Sequence, residues 1–198
     1  MNKHRVVLPG LIVGALLLAL VAVFAIFLPK VEGKTGDLTL PATLPGGYVA
    51  ADRREAYESL TSATDADKAN YVTSQVNAGK FAAKSYKAMG VEGVSRNYLT
   101  KDGQQFVAVQ LIRAQGGAIS PFLFTDPKTA EQGTQLDHYV KAGDATCIET
   151  GTSDGAGKVQ QSVIECQKSE DGLTLQVTTQ NSISAVGKLI DAIWDDVA

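Results

Sequence analysis

Cys147 and Cys166 are the residues of this 198-residue sequence whose chemistry depends most on where they meet. A disulfide needs Cα atoms within about 6.8 Å of each other, a condition that two directly opposed strand residues satisfy. The two numbers are symmetric about the boundary between Ala156 and Gly157, inside the turn-rich run Ser153-Asp154-Gly155-Ala156-Gly157. A hairpin turning there sets the cysteines opposite each other, so a Cys147–Cys166 disulfide is expected, in an oxidising compartment. They are not spaced C-x-x-C, and no His or Lys adjoins either one to lower a thiol pKa, so they are not read as catalytic.

Arg96 stands out for a different reason. It falls on the same strand face as Val94 and Tyr98, a face that otherwise reads as apolar. Its stem could lie over that surface while the guanidinium reaches water. Alternatively, Arg96 and Tyr98 line a cleft and hold an anionic or carboxylate ligand.

Other chemistry is weak. Gly151-Thr152-Ser153-Asp154-Gly155 spells G-x-S-x-G, but a nucleophile elbow needs a strand before it and a helix after it, and here a strand follows. Leu40-Pro41-Ala42-Thr43 starts like a sortase signal, then continues with Leu44 and lacks the C-terminal apolar tail. His138 has no second histidine beside it to build a metal site. Phosphate loops, EF-hand spacings and N-x-S/T acceptors are absent. No catalytic, cofactor-binding or metal residue is therefore assigned, and no cofactor is expected.

The elements that must position these residues begin with an apolar run. From Val6 to Leu28 no residue is charged, and only Pro9, Gly10 and Gly14 are not apolar. A helix of that length reaches roughly 35 Å, enough for a hydrocarbon core of about 30 Å. The run exceeds the 7–15 residues usual for a signal-peptide core, so an uncleaved single-pass helix is preferred to a cleaved signal. Lys3 and Arg5 place the short tail 1–5 in the cytoplasm and everything after Leu28 outside. Gly10 and Gly14 form a G-x-x-x-G spacing that would let the helices of two copies pack as a homodimer.

Residues 29–64 carry Pro29, Pro41 and Pro45 and read as a stalk, with a short helix within Asp52–Leu60. The outer domain is expected over 65–198. Thr64 or Asp65 can cap a helix to about Met89, whose stripe is Val72, Val76, Gly79, Ala82 or Ala83, Tyr86 and Met89, with Gly90 ending it. Val91–Leu99 and Gln105–Arg113 form a hairpin about Asp102-Gly103, in a register that opposes Val94 to Leu111, Tyr98 to Val107 and Glu92 to Arg113. Phe122-Leu123-Phe124 suits a third strand, and Asp126-Pro127 opens a second helix to about Lys141. Strands then follow at Ala145–Thr150, Val159–Lys168 and Leu173–Gln180. A last helix begins near Asn181-Ser182, with the stripe Ile183, Val186, Ile190, Ile193 and Val197 flanked by Trp194. The expected fold is α+β: an antiparallel sheet of five to six strands, about three helices packed mainly on one face, and the transmembrane helix before it.

Charge separates with this division. Removing Lys3 and Arg5 from the 18 basic residues leaves 16 against 21 acidic, a net of −5 outside. Such a balance excludes a nucleic-acid partner. The expectation is a non-enzymatic, membrane-anchored, extracytoplasmic module of the cell envelope that binds a protein or an envelope ligand, with the lipid bilayer contacted through 6–28. Two alternatives are an accessory subunit of a larger membrane complex and an envelope enzyme with a carboxylate-based site.

Overall fold

The computed structural model describes residues 37–119 and 125–197. They form one eight-stranded, wholly antiparallel sheet and two α-helices. In chain order the strands are β1 (Thr43–Leu44), β2 (Tyr48–Ala50), β3 (Glu92–Thr100), β4 (Phe106–Arg113), β5 (Gln135–Ala142), β6 (Ala145–Ser153), β7 (Val159–Glu170) and β8 (Leu173–Thr179). Helix α1 is Asp65–Ala88 and α2 is Ile183–Val197, with a 3-10 turn at Arg54–Tyr57. The spatial order is β1-β2-β3-β4-β8-β7-β6-β5, so β8 enters between β4 and β7.

Local signals explain most of these boundaries. Thr64 caps α1 through a reciprocal box: its Oγ1 accepts from the Asp67 N–H at 3.2 Å, and its own N–H donates to Asp67 Oδ2 at 2.9 Å. The Thr64 hydroxyl, donating to Asp67 Oδ2 at 2.6 Å, and the Thr64 N–H hold the Asp67 carboxyl below its usual pKa. Gly90 ends the helix with φ +76°. The β3–β4 register opposes Glu92 to Arg113, Val94 to Leu111 and Tyr98 to Val107, as the Asp102-Gly103 turn requires. Arg113 Nε donates to Glu92 Oε2 at 2.8 Å, which draws the Glu92 pKa down.

The two helices lie on opposite faces. Strand residues alternate between faces, and Tyr98, Val107, Val109, Leu111, Leu175, Val177, Ile164 and Cys147 all pack in one cluster with Val186, Ile190 and Ile193 of α2. Helix α1 meets the other face: Val72 packs with Leu99, and Asn97 donates to Gln75 at 2.8 Å. Helix α2 touches both edge strands, β1 and β5, so the sheet curls around it. Asn181, just before α2, donates to the Tyr48 hydroxyl of β2 from across that curve.

The expected fold class is therefore corrected: the described residues hold eight strands rather than five to six, two α-helices rather than three, and a helix on each face. The helix expected from Asp126 to Lys141 is not formed. Asp126 does start a turn, accepting at its carbonyl from Thr129 and Ala130, both at 3.1 Å. Gly133 then takes φ +81°, which stops helical propagation. Beyond it Leu136, His138 and Val140 alternate along β5, a period of two where one of 3.6 was expected. From Leu40 onward, the segment read as stalk is packed: Leu40, Leu44 and Tyr48 are buried in the main core, and β2 pairs with β3. The transmembrane helix over 6–28, with Gly10 and Gly14, and the strand at Phe122–Phe124 fall outside the described residues. Among the described residues no helix is long and apolar enough to cross a membrane.

Candidate functional site

Arg96 is held entirely from within the chain. Its Nε and Nη2 donate to both carboxylate oxygens of Asp52 at 2.9–3.2 Å. Its Nη1 donates to the carbonyls of Leu40 and Pro41 at 2.8 and 3.0 Å. The flat, forked guanidinium thus clamps the 40–41 segment and Asp52 against β3 at once. Tyr98 is fully buried and donates its hydroxyl to the Pro41 carbonyl at 2.8 Å, and burial raises its pKa well above the usual range. Arg96 lines a groove of about 370 Å³ beside Asp52, with its guanidinium donors engaged by the chain itself, while Tyr98 is buried in the core.

The cysteines meet as expected. Cys147 and Cys166 are bonded, directly opposed on β6 and β7 with Cα atoms 4.0 Å apart, the close spacing of a non-hydrogen-bonded pair. Both are buried in the main core. In G-x-S-x-G, Ser153 is buried on the β6–β7 hairpin and its Oγ donates to the Ala130 carbonyl at 3.1 Å, a structural contact. His138 lies on β5 rather than on a helix, with Nε2 3.4 Å from Glu149 Oε2. Trp194 is buried at the core edge, and the Lys168 ammonium sits 5.1 Å from its ring centre. Among the described residues no three His, Cys, Asp or Glu side chains are grouped to hold a metal ion.

A roomier concavity than the Arg96 groove lies elsewhere. After β4 the chain crosses the face opposite α2 and roofs the ends of β5, β6 and β7 with residues 114–119, enclosing about 790 Å³. Hydrogen bonds from the sheet pin this roof. Thr174 Oγ1 donates to the Ala114 carbonyl at 2.6 Å, Ser169 Oγ accepts from the Gly116 N–H at 2.8 Å, and Gln167 Nε2 donates to the Gly117 carbonyl at 2.6 Å. The Tyr139 hydroxyl donates to the Ile119 carbonyl at its far end. A Cβ on Gly116 would come within 2.7 Å of Gln167 Nε2 and 2.9 Å of Thr174 Oγ1, so both side chains that hold the roof would have to shift.

Within the cleft Lys141 Nζ donates to Thr146 Oγ1 at 3.0 Å, while Asp144 and Glu170 supply carboxylates from the two hairpin turns at its end. Cationic, anionic and neutral hydrogen-bonding groups therefore converge on one space, with no thiol or activated hydroxyl among them. That is the equipment for recognising a polar chain, which presents donors and acceptors in alternation. Sequence reasoning missed this site because its roof falls between a strand and the Phe122–Phe124 run read as another strand, a place read only as a connection. The Gly116-Gly117 pair was the available signal, marking a backbone that must come close to something. The chain matches no protein-family model, and comparison with curated proteins and with solved structures returns no match.

Proposed function

We propose that this chain is a non-enzymatic binding module of the cell envelope, attached to a membrane through its apolar residues 6–28, whose outer domain takes a polar partner segment in the cleft beneath 114–119. The observation that carries the binding reading is the cleft itself: a preformed space of about 790 Å³ with Lys141, Thr146, Gln167, Asp144 and Glu170 converging on it. A pinned roof means little ordering cost at the moment of binding. The Cys147–Cys166 disulfide supports the extracytoplasmic side, since such bonds persist where thiols are not kept reduced.

The test is site-specific photo-crosslinking of the full chain in its native membranes. A crosslinker at Thr146, inside the cleft, should give a discrete adduct that one at Glu165, on the exposed sheet, does not. Equal labelling from both positions, or none from Thr146, would refute the cleft as the binding site.

A further inference from the structure

We propose that the outer face of α1 is a docking surface for anionic lipid headgroups, so that the domain rests on the membrane. This inference rests on the membrane-attachment reading above. Phe81 and Met89 are 72% and 67% exposed, against 45% or less for the other large apolar side chains that reach the surface. Phe81 lies in the second half of the helix and Met89 at its C-cap, beside Lys80, Lys84 and Lys87, and the next acidic residue along the chain is Glu92. None of the three lysines has an ion-pair partner among the described residues. These lysines leave a local cationic strip on a chain of net charge −3, one that attracts an anionic surface.

Helical geometry arranges these groups for an interface. At about 100° per residue, Phe81 and Lys84 lie some 60° apart, pointing away from the Gly79 and Tyr86 side that packs on the sheet. Lys80 and Lys87 lie beyond Lys84, about 100° and 120° from Phe81 on the same side, and Met89 lies about 80° away on the other side. The helix as a whole is only weakly amphipathic, so the contact is local: an exposed Phe81 tip enters the headgroup layer with the lysine ammonium groups beside it at phosphate level.

The path of the chain argues for lipid rather than a soluble protein. Leu38, at the start of the described residues, lines a groove of about 370 Å³ together with Lys80 of α1. The apolar run ends at Leu28, and nine peptide steps from there to Asp37 reach at most about 32 Å. The helix that carries the exposed Phe81 is thus the one beside which the chain enters the domain.

The experiment uses the full chain with Phe81→Trp in a Trp194→Phe background, in nanodiscs carrying brominated acyl chains. Zwitterionic discs are compared with discs containing about one-third phosphatidylglycerol. Tryptophan emission should be quenched about twofold or more in anionic discs, with the quench lost at high salt and in Lys80→Glu/Lys84→Glu/Lys87→Glu. No quench, or one indifferent to salt and lipid charge, overturns the proposal. Amide hydrogen exchange over 78–90 on unsubstituted chain reads the same contact should the Trp194→Phe background not fold: slower exchange on anionic discs is expected, and equal exchange refutes docking. Carbonate washing reads attachment separately, because a released chain refutes attachment while the quench still decides docking.

Discussion

Arg96 shows how a single residue can staple a fold. Six hydrogen bonds run from it to Asp52, Leu40 and Pro41, residues 44 to 56 positions upstream, and they fix the incoming chain on β3. Replacing it by methionine keeps the stem over the core and removes the fork. Asp52 is then left a partly buried, unpaired carboxylate, and the Leu40 carbonyl loses this donor. Arg96→Met should cost about 2 kcal/mol, less than a fully buried pair because both side chains are about a quarter exposed. Urea unfolding of the variant measures this, and an unchanged midpoint would mean that the clamp is ornamental. That Arg96 was unusual was legible from its alternation with Val94 and Tyr98. Its partner was not, because an ion pair across 44 residues leaves no periodic trace in a sequence.

At the level of elements, α1 owes its seat to a missing side chain. The Tyr86 ring lies over Gly93, where a Cβ would come within 2.6 Å of it, and the Tyr86 hydroxyl reaches Gln110 on β4 at 2.6 Å. Gly93→Ala should push the ring off β3 and break that bond, destabilising by about 1–3 kcal/mol. In a Tyr86→Ala background the same change should cost little, so a double-mutant cycle isolates the contact. Equal costs in both backgrounds would place the strain in the strand instead. The stripe Val72, Val76, Gly79, Ala82 and Tyr86 was legible because helical period and capping agree, although Met89, expected at its end, is exposed. The stretch from Asp126 to Lys141 was not, since a good cap precedes a strand whose alternation spans only a few apolar residues. What decides there is the partner: β6 offers a complementary edge, and pairing overrides the local helix signal.

For the whole molecule, the disulfide ties the half of the sheet that α1 does not cover. Closing the loop from Cys147 to Cys166 should contribute about 3 kcal/mol by restricting the unfolded chain. Reduction, or the pair Cys147→Ala with Cys166→Ala, should lower the unfolding midpoint accordingly, and calorimetry of oxidised and reduced chain checks it. No shift would mean that strand pairing alone holds β6 to β7. Hairpins, turns and the cysteine register were legible because each is set by neighbours in sequence. The curl of the sheet around α2 and the roof over 114–119 were not, since both depend on which strands end up side by side. That order carries a consequence for biogenesis. Among the described residues strand β8 joins β4 to β7 in the sheet, and α2 fills the hollow that both edges close around. Two partial sheets made earlier must therefore wait, with apolar faces bare, until residues 173–197 emerge to join and fill them. Until then those faces are open to chaperones and proteases, so the late arrival of β8 and α2 sets how long the earlier hairpins stay vulnerable.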